Sequence, residues 1–226
     1  MKINEFKDIQ EAEYRLCDEI THDLNTSINE NGIAQLLVSG GRSPIGLFKK
    51  LSSAPVDWSK VNIGLVDERW VNADSEHSNE RLVRNHLICN NASAANFYPL
   101  VYCLSDRDDN LAQSQKKYAE VFSEISVVVL GMGLDGHTAS LFPKDESSVL
   151  HLAGLNQEIL INTISPSEPK LRISCGKRFL SNSKKMYLYI SGKEKLSVLN
   201  RSKEEVLPIY HFYPHLNVFY SSNEAL

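Results

Sequence analysis

Apolar side chains recur with two different periods along this chain. Residues 8–30 have apolar positions three and four residues apart, which predicts an amphipathic helix with one buried face. Asn31 and Gly32 follow directly, and residues of these types commonly end helices. Short unbroken apolar runs, such as residues 34–38 and 127–130, instead predict buried strands.

The same patterns predict further elements over the whole chain. Strands are predicted at residues 34–38, 61–66, 125–130, 158–161, 171–174, 186–190 and 217–220. Helices are predicted at residues 8–30, from Ser78 or Asn79 to Leu87, at 108–124, in a short stretch ending at Leu180, and at 193–200. This alternation indicates a mostly parallel, Rossmann-like sheet with helices on both faces. With no linker or repeat, we expect a single α/β domain over residues 1–226.

Composition fits this class and limits the partners. A chain of 226 residues with 42% hydrophobic and 23% charged residues can bury a large core. The net charge of −4 and the pI near 6.0 predict no nucleic-acid partner and no anionic membrane partner, so local groups must bind any anion. The four cysteines lie far apart without a C-x-x-C pair, which favours buried, reduced thiols.

The remaining global features predict a cytoplasmic protein. Residues 1–16 contain no apolar signal segment, and no stretch of the chain has the length and hydrophobicity needed to span a bilayer. The sequence leaves a monomer and a homodimer equally open.

A glycine-containing loop follows the strand at residues 34–38. It consists of Ser39, Gly40, Gly41, Arg42 and Ser43. We expect Ser43 to cap a helix that begins at Pro44, and the loop amides to bind a phosphate group; an ordinary turn is the alternative. The loop lacks the G-x-x-x-x-G-K-[ST] pattern, and Leu37 excludes a G-x-S-x-G nucleophile elbow.

Residues 131–143 read GMGLDGHTASLFP and follow another predicted strand. The glycines have the G-x-G-x-x-G spacing of a dinucleotide-binding turn. That interpretation is disfavoured because Asp135 puts a carboxylate inside the turn and Pro143 would cut short a following helix. No acidic residue ends a second strand at the usual distance either.

His137 is the candidate for proton transfer in this loop. An imidazole with an ordinary pKa near 6.5 is mostly neutral at neutral pH and can act as a base. Asp135 could orient it or hold a water, and Gly133 leaves space for a substrate. A metal site is the competing interpretation, but His211 and His215 are separated by Pro214 and offer no clear ligand pair. We therefore expect no metal.

Charged residues also follow other predicted strands. Asp67 and Arg69 come directly after the strand at residues 61–66, where they could form a structural ion pair or face a ligand. In the second case, Arg69 could stabilise negative charge that develops on a carbonyl oxygen. Lys195 and Arg172 could reach the same edge of the sheet, or remain solvated surface charges.

Together these motifs resemble the 6-phosphogluconolactonase family, which belongs with glucosamine-6-phosphate deaminase to one wider group. The resemblance rests on SGGRSP at 39–44, DERWV at 67–71, SN at 78–79, GMGLDGHTASLFP at 131–143, PKLRIS at 169–174 and SGKEK at 191–195. It implies that His137 is catalytic, that Arg69 is an active-site cation, and that the 39–44 loop, Arg172 and Lys195 bind phosphate. By the same resemblance, Asp67, Asn79 and Gly133 belong to the substrate site.

The resemblance implies hydrolysis of 6-phospho-D-glucono-1,5-lactone without a cofactor. Deaminases of the group carry a glutamate where this chain has Phe142, which favours the lactonase. Arg42 stands where the family loop often has another residue type, and could contact phosphate or solvent. A deaminase-like isomerase and a non-catalytic sugar-phosphate sensor are the alternatives.

Overall fold

The computed structural model describes residues 1–223 as an α/β fold built on two sheets. The strands are β1 (Lys2–Phe6), β2 (Ala34–Val38), β3 (Val61–Leu65), β4 (Asp67–Arg69), β5 (Asn96–Tyr98), β6 (Val127–Leu130), β7 (Leu160–Ile164), β8 (Leu171–Cys175), β9 (Lys185–Ser191) and β10 (Leu216–Ser221). The helices are α1 (Ile9–Asn31), α2 (Ile45–Leu51), α3 (Asn79–His86), α4 (Arg107–Val121), α5 (Glu146–Leu152), α6 (Lys177–Ser181) and α7 (Lys193–Arg201). Short 3₁₀ helices occupy Trp58–Lys60, Asn90–Ala94 and Pro208–Phe212.

The larger sheet has seven parallel strands in the order β1-β10-β9-β6-β2-β3-β5, flanked by helices. The predicted single-domain, mostly parallel α/β architecture is therefore confirmed. From β2 the chain proceeds outward to β3 and β5, whereas β6, β9 and β10 are added on the other side. The strand order thus reverses between β2 and β6, and ligands of such sheets bind at the carboxyl ends beside a reversal.

The smaller sheet is antiparallel and was not predicted. It contains β4, β8 and β7 in that order. Arg69 on β4 lies opposite Arg172 on β8, and Asp67 lies opposite Ser174. The strand predicted at residues 158–161 begins later, at Leu160. Short apolar runs have the same appearance in parallel and antiparallel sheets, so the pattern could not distinguish the two.

Helix ends follow the expected chemistry in two of three cases. Asp8 caps α1 by accepting a hydrogen bond from the Gln10 amide, and Gly32 ends the helix with a φ of 76°. Ser78 caps α3 through the Arg81 amide. The predicted cap of α2 is wrong: Pro44 occupies the cap position and no side chain completes a hydrogen bond there. Ser43 instead lies one residue earlier, in the loop.

The core lies between the larger sheet and its helices. All residues of β2, β3 and β6 are buried, and Tyr118 from α4 is completely buried beside them. The Tyr118 hydroxyl accepts from the Leu65 amide at 2.9 Å and donates to the Leu65 carbonyl at 3.2 Å. All four cysteines are free thiols, as predicted, but only Cys17 and Cys175 are buried. None of the helices in residues 1–223 is both long and apolar enough to cross a membrane.

Candidate active site

A cavity of about 500 Å³ opens at the carboxyl ends of β2, β6 and β9, beside β4. Eleven of the thirteen predicted site residues line it: Ser39, Gly40, Gly41, Arg42, Ser43, Asp67, Arg69, Asn79, Gly133, His137 and Lys195. The other two, Asp135 and Arg172, lie outside the lining. Residues that are distant in the sequence therefore meet at the predicted edge of the sheet.

Asp135 and His137 form a hydrogen-bonded pair at one side of the cavity. Asp135 Oδ1 lies 2.5 Å from His137 Nδ1, and the same oxygen accepts the His137 backbone amide at 3.1 Å. The side chains are 40% and 33% exposed, respectively, so water reaches both. Because Nδ1 is occupied by the carboxylate, Nε2 is the ring nitrogen left to exchange a proton with a ligand.

The charge on Asp135 is favoured by this pair. Partial burial alone would raise the pKa of the Asp135 carboxyl. The hydrogen bond from His137 and the positive charge of the His137 imidazolium outweigh that effect and lower the pKa. Asp135 is therefore a carboxylate at neutral pH. The question that the sequence left open, whether Asp135 contacts His137, is answered by the 2.5 Å contact.

Internal hydrogen bonds hold the loop that carries this pair. The Gly133 amide donates to the His137 carbonyl at 2.9 Å, and Thr138 Oγ1 donates to the Gly131 carbonyl at 2.8 Å. Gly133 packs so closely against the imidazole that an added Cβ would lie 2.2 Å from His137 Cε1. Gly133 is thus needed for the close approach of the backbone to the imidazole.

The loop is also supported from the carboxyl-terminal part of the chain. Gly136 has a φ of 78°, and its carbonyl accepts the Ile209 amide at 3.1 Å. A Cβ at Gly136 would contact Leu207 at 2.6 Å. No helix follows the third glycine; the next one is α5, which begins at Glu146. This geometry differs from a dinucleotide-binding turn, in which the third glycine leads into a helix.

The loop at residues 39–44 forms another part of the cavity wall. Ser39 Oγ accepts the Gly131 amide at 3.2 Å, which joins this loop to the His137 loop. Lys195 Nζ donates to Ser43 Oγ at 3.5 Å. Arg42 is exposed at the rim. A lysine, a serine hydroxyl and an arginine at one end of the cavity are the groups that recognise a phosphate.

Asp67 is the centre of a buried polar network in the cavity wall. Its Oδ2 accepts a hydrogen bond from Ser140 Oγ at 2.6 Å, and its carbonyl accepts Asn79 Nδ2 at 2.8 Å. Asn79 in turn fills the space above Gly40, where a Cβ would lie 1.9 Å from Asn79 Oδ1. These contacts fix the three cavity-lining residues Asp67, Asn79 and Gly40 relative to each other.

Glu68 points away from the cavity, because side chains alternate along β4. Its carboxyl oxygens accept the backbone amides of Arg69, Asn79 and Glu80 and the Ser78 hydroxyl at 2.7–3.0 Å. Burial raises the pKa of Glu68 to about 7, while these amide hydrogen bonds act in the opposite direction. Glu68 thus joins β4 to the start of α3.

Comparison with known proteins identifies the family. The family model described as glucosamine-6-phosphate isomerases/6-phosphogluconolactonase matches residues 7–218. The chain belongs to this family. A 6-phosphogluconolactonase of Pseudomonas aeruginosa is 37% identical over 82% of this chain and 78% of its own length. One from Helicobacter pylori strain J99 is 35% identical over 90% of this chain and 87% of its own length.

A solved structure of the family has the same fold. The crystal structure of a 6-phosphogluconolactonase from Shewanella baltica superposes with a TM-score of 0.92 at 35% identity, covering 98% of this chain and 97% of the other. The two chains therefore share the arrangement of sheets and helices over almost their whole length.

Arg69 and Arg172 occupy neighbouring positions on the smaller sheet but different environments. Arg69 lines the cavity, and its Nη1 donates to the His77 carbonyl at 2.7 Å. Arg172 is 5% exposed; its Nη2 donates to Ser165 Oγ at 3.4 Å. Burial and then the nearby Arg69 charge lower the pKa of Arg172. Of this pair, only Arg69 lines the cavity.

Two residues in or beside the cavity, Tyr189 and Ser140, were not predicted from the sequence. Tyr189 lines the cavity from β9, where a buried strand position gave no sign of a polar role. Its hydroxyl donates to Glu13 Oε1 at 3.3 Å. Ser140 binds Asp67 from within the long family motif, and its hydroxyl was the available signal. No group of three or more His, Cys, Asp or Glu side chains within residues 1–223 could hold a metal ion.

Proposed function

We propose that this protein hydrolyses 6-phospho-D-glucono-1,5-lactone to 6-phospho-D-gluconate, the lactone step of the oxidative pentose phosphate pathway. The observation that carries the proposal is the 2.5 Å Asp135–His137 pair, at a cavity that Lys195 and Ser43 also line. A base and a cationic group in one cavity suit a substrate with a reactive carbonyl and a phosphate. The curated relatives of 34–37% identity carry the name 6-phosphogluconolactonase.

His137 would act as the general base. With Nδ1 held by Asp135, His137 Nε2 removes a proton from water while the water oxygen forms a bond to the lactone carbonyl carbon. The carbonyl electrons move to the oxygen, which gives a tetrahedral oxyanion. When the oxyanion collapses, the bond to the ring oxygen breaks and His137 returns its proton to that leaving oxygen. One histidine serves both transfers, and Asp135 stabilises the imidazolium between them.

Arg69 is the group proposed to meet the oxyanion. The hydrogen bond from its Nη1 to the His77 carbonyl, 2.7 Å long, fixes the guanidinium at the cavity wall. A preorganised cation near a developing negative charge stabilises the transition state more than the ground state.

The phosphate would bind at the end formed by the 39–44 loop and Lys195. Lys195 Nζ, Ser43 Oγ and the loop amides can all donate hydrogen bonds there, and Arg42 is close to the rim. Asp67 and Asn79 are proposed to contact sugar hydroxyls from the wall between the two ends. The assignment of Arg172 to phosphate stays a prediction, and its burial outside the cavity lining does not favour it.

The deaminase alternative receives less support from this site. Phe142 stands where deaminases of the group carry a glutamate; its ring lies 4.8 Å from the His137 ring, between centroids, and it is 4% exposed. An apolar ring there supplies no second carboxylate for proton transfer during sugar isomerisation.

Turnover of freshly generated lactone, corrected for spontaneous hydrolysis, tests the proposal. His137→Asn is expected to lower kcat by roughly 10²–10⁴-fold, since general base catalysis contributes about that much. Lys195→Met is expected mainly to raise KM, because phosphate binding stabilises ground and transition states alike. Lys193→Met, on the same helix but exposed, is the matched control with unchanged kinetics.

Two outcomes would contradict this function. Saturable ligand binding without turnover by the unaltered protein would favour the sugar-phosphate sensor. Ammonia release from glucosamine 6-phosphate would favour the deaminase. A cytoplasmic location and the absence of a nucleic-acid partner remain part of the proposal, supported by the composition and the net charge of −4. The proposal includes both a monomer and a homodimer.

A further inference from the structure

A second cavity lies apart from the candidate active site. It has a volume of about 480 Å³ and lies where α5 and α6 meet the segment that follows Pro208–Phe212. It has no lining residue in common with the first cavity. The mechanism proposed above uses none of its side chains.

The lining of this second cavity is cationic. Lys177 and Arg178 contribute two positive charges, and none of its lining residues is an aspartate or glutamate. A neighbouring cavity shares Lys177 and His211 with it and adds Lys203. In a chain with a net charge of −4, this concentration of positive charge is a local feature.

His151 provides an independent observation. The side chain is 2% exposed and lines the cavity, yet neither imidazole nitrogen has a hydrogen-bond partner among residues 1–223. The Asn156 side chain lies beside the imidazole, and Nε2 packs against Gly176, where an added Cβ would lie 2.2 Å from it. Ser181 Oγ, in the same lining, is buried and also unpaired. Buried polar groups are normally satisfied, so two unsatisfied groups in one cavity indicate a missing partner.

The available donors define the chemistry of that partner. Burial lowers the pKa of His151, so its imidazole is neutral at pH 7 and offers one N–H donor. Lys177 uses one of its donors on the Leu152 carbonyl at 3.2 Å and keeps two. Arg178 binds Gln157 through Nη1 and has further N–H groups. Such a set of donors matches a tetrahedral oxyanion with several acceptor oxygens.

We infer that this second cavity binds a small phosphate-bearing anion, either inorganic phosphate or a phosphate ester. Lys177 and Arg178 would neutralise its charge, and Ser181 Oγ and His151 Nδ1 would donate hydrogen bonds to its oxygens. The cavity has room for an organic group, which would extend toward Tyr210 and Tyr213 in the neighbouring cavity.

The test uses the full-length protein labelled with ¹⁵N-histidine and titrated with inorganic phosphate at constant ionic strength. The imidazole signals of His151 and His211 are expected to shift and saturate, while those of His137 report separately on the first cavity. In Lys177→Met/Arg178→Met, the Kd from the His151 signal should rise at least about tenfold, because two charge-assisted bonds are lost. Lys195→Met should leave that Kd unchanged, which separates this site from the phosphate end of the first cavity.

The matched control is Lys116→Met/Lys117→Met, which removes the same charge from α4. Its Kd should equal that of the unaltered protein. Arg178→Met alone, at an exposed position, serves as the test if the double variant does not fold. Repeating the titration with glycerol 3-phosphate distinguishes the sources: tighter binding identifies a phosphate ester and equal binding identifies inorganic phosphate. The inference is overturned if the His151 signal does not saturate, or if Arg178→Met and the double variant retain the original Kd.

Discussion

Replacing Asp135 tests whether its carboxylate works through His137. A single oxygen, Oδ1, makes both contacts, to His137 Nδ1 at 2.5 Å and to the His137 amide at 3.1 Å. Asp135→Asn can keep an oxygen in that position and loses only the negative charge. Asp135→Ala removes both hydrogen bonds. The two substitutions therefore separate the effect of charge from the effect of orientation.

The geometry gives the expected size of each effect. A neutral hydrogen bond contributes about 0.5–1.5 kcal/mol and a charged one about 1.5–3 kcal/mol. Loss of the charge alone should therefore lower kcat roughly five- to tenfold in Asp135→Asn. Asp135→Ala should lower kcat roughly 10–50-fold, toward the lower part of the charged range, because Asp135 is 40% exposed and water screens it.

The assay is hydrolysis of fresh 6-phospho-D-glucono-1,5-lactone, followed by acid release with the spontaneous rate subtracted. KM should stay within about twofold, since Asp135 lies outside the cavity lining. Asp109→Asn, at an exposed position on α4, is the control for the loss of one negative charge.

A double substitution gives the decisive result. If Asp135 acts by positioning His137, then adding Asp135→Ala to His137→Asn should lower kcat little further. The effects of residues that act as a unit are not additive. Independent, multiplicative losses would refute the positioning argument. Equal kcat for the unaltered protein and Asp135→Ala would refute any role in the reaction.

Two further predictions concern Gly133 and Glu68. Gly133→Ala should lower kcat at least about tenfold, because its Cβ would lie 2.2 Å from His137 Cε1; a kcat equal to that of the unaltered protein would contradict this. Burial raises the pKa of Glu68 from 4.5 to about 7, so the protonated carboxyl is favoured in the folded protein. Its contribution to the free energy of unfolding is complete below pH 4.5 and is lost as the pH rises through 7. The total loss is roughly 3 kcal/mol. Urea denaturation should show this decline in the unaltered protein but not in Glu68→Gln. If the free energy of unfolding of the unaltered protein instead rises with pH relative to that of Glu68→Gln, the amide hydrogen bonds to Glu68 outweigh its burial.

Much of the larger sheet could be predicted because its central strands are buried on both faces. Such strands appear as unbroken apolar runs, and parallel strands bring their carboxyl ends to one edge. That reasoning was enough to bring the 39–44 loop together with His137 and Lys195. The edge strand β1 was missed because its sequence, KINEF, is largely exposed and has no apolar run.

The smaller sheet could not be predicted from the periodicity of hydrophobic residues. β4 is three charged residues long, so it carries no hydrophobic pattern, and its pairing with β8 depends on contacts between distant parts of the chain. The pairing also bears on Arg172. The register places it opposite Arg69, on the same face of the smaller sheet, but Arg172 is buried with Nη2 on Ser165 Oγ and does not reach the cavity lining.

Gly40 and Gly133 limit how this cavity could be re-engineered for other substrates. A side chain at Gly40 would meet Asn79 at 1.9 Å, and one at Gly133 would meet His137 at 2.2 Å. A directed-evolution library that varies codons 40 and 133 would consist mainly of inactive members. Codons 42 and 132 are better targets, because Arg42 is exposed at the rim and Met132 lines the wall. New specificity is therefore accessible from the rim and the wall, while the glycine contacts stay unchanged.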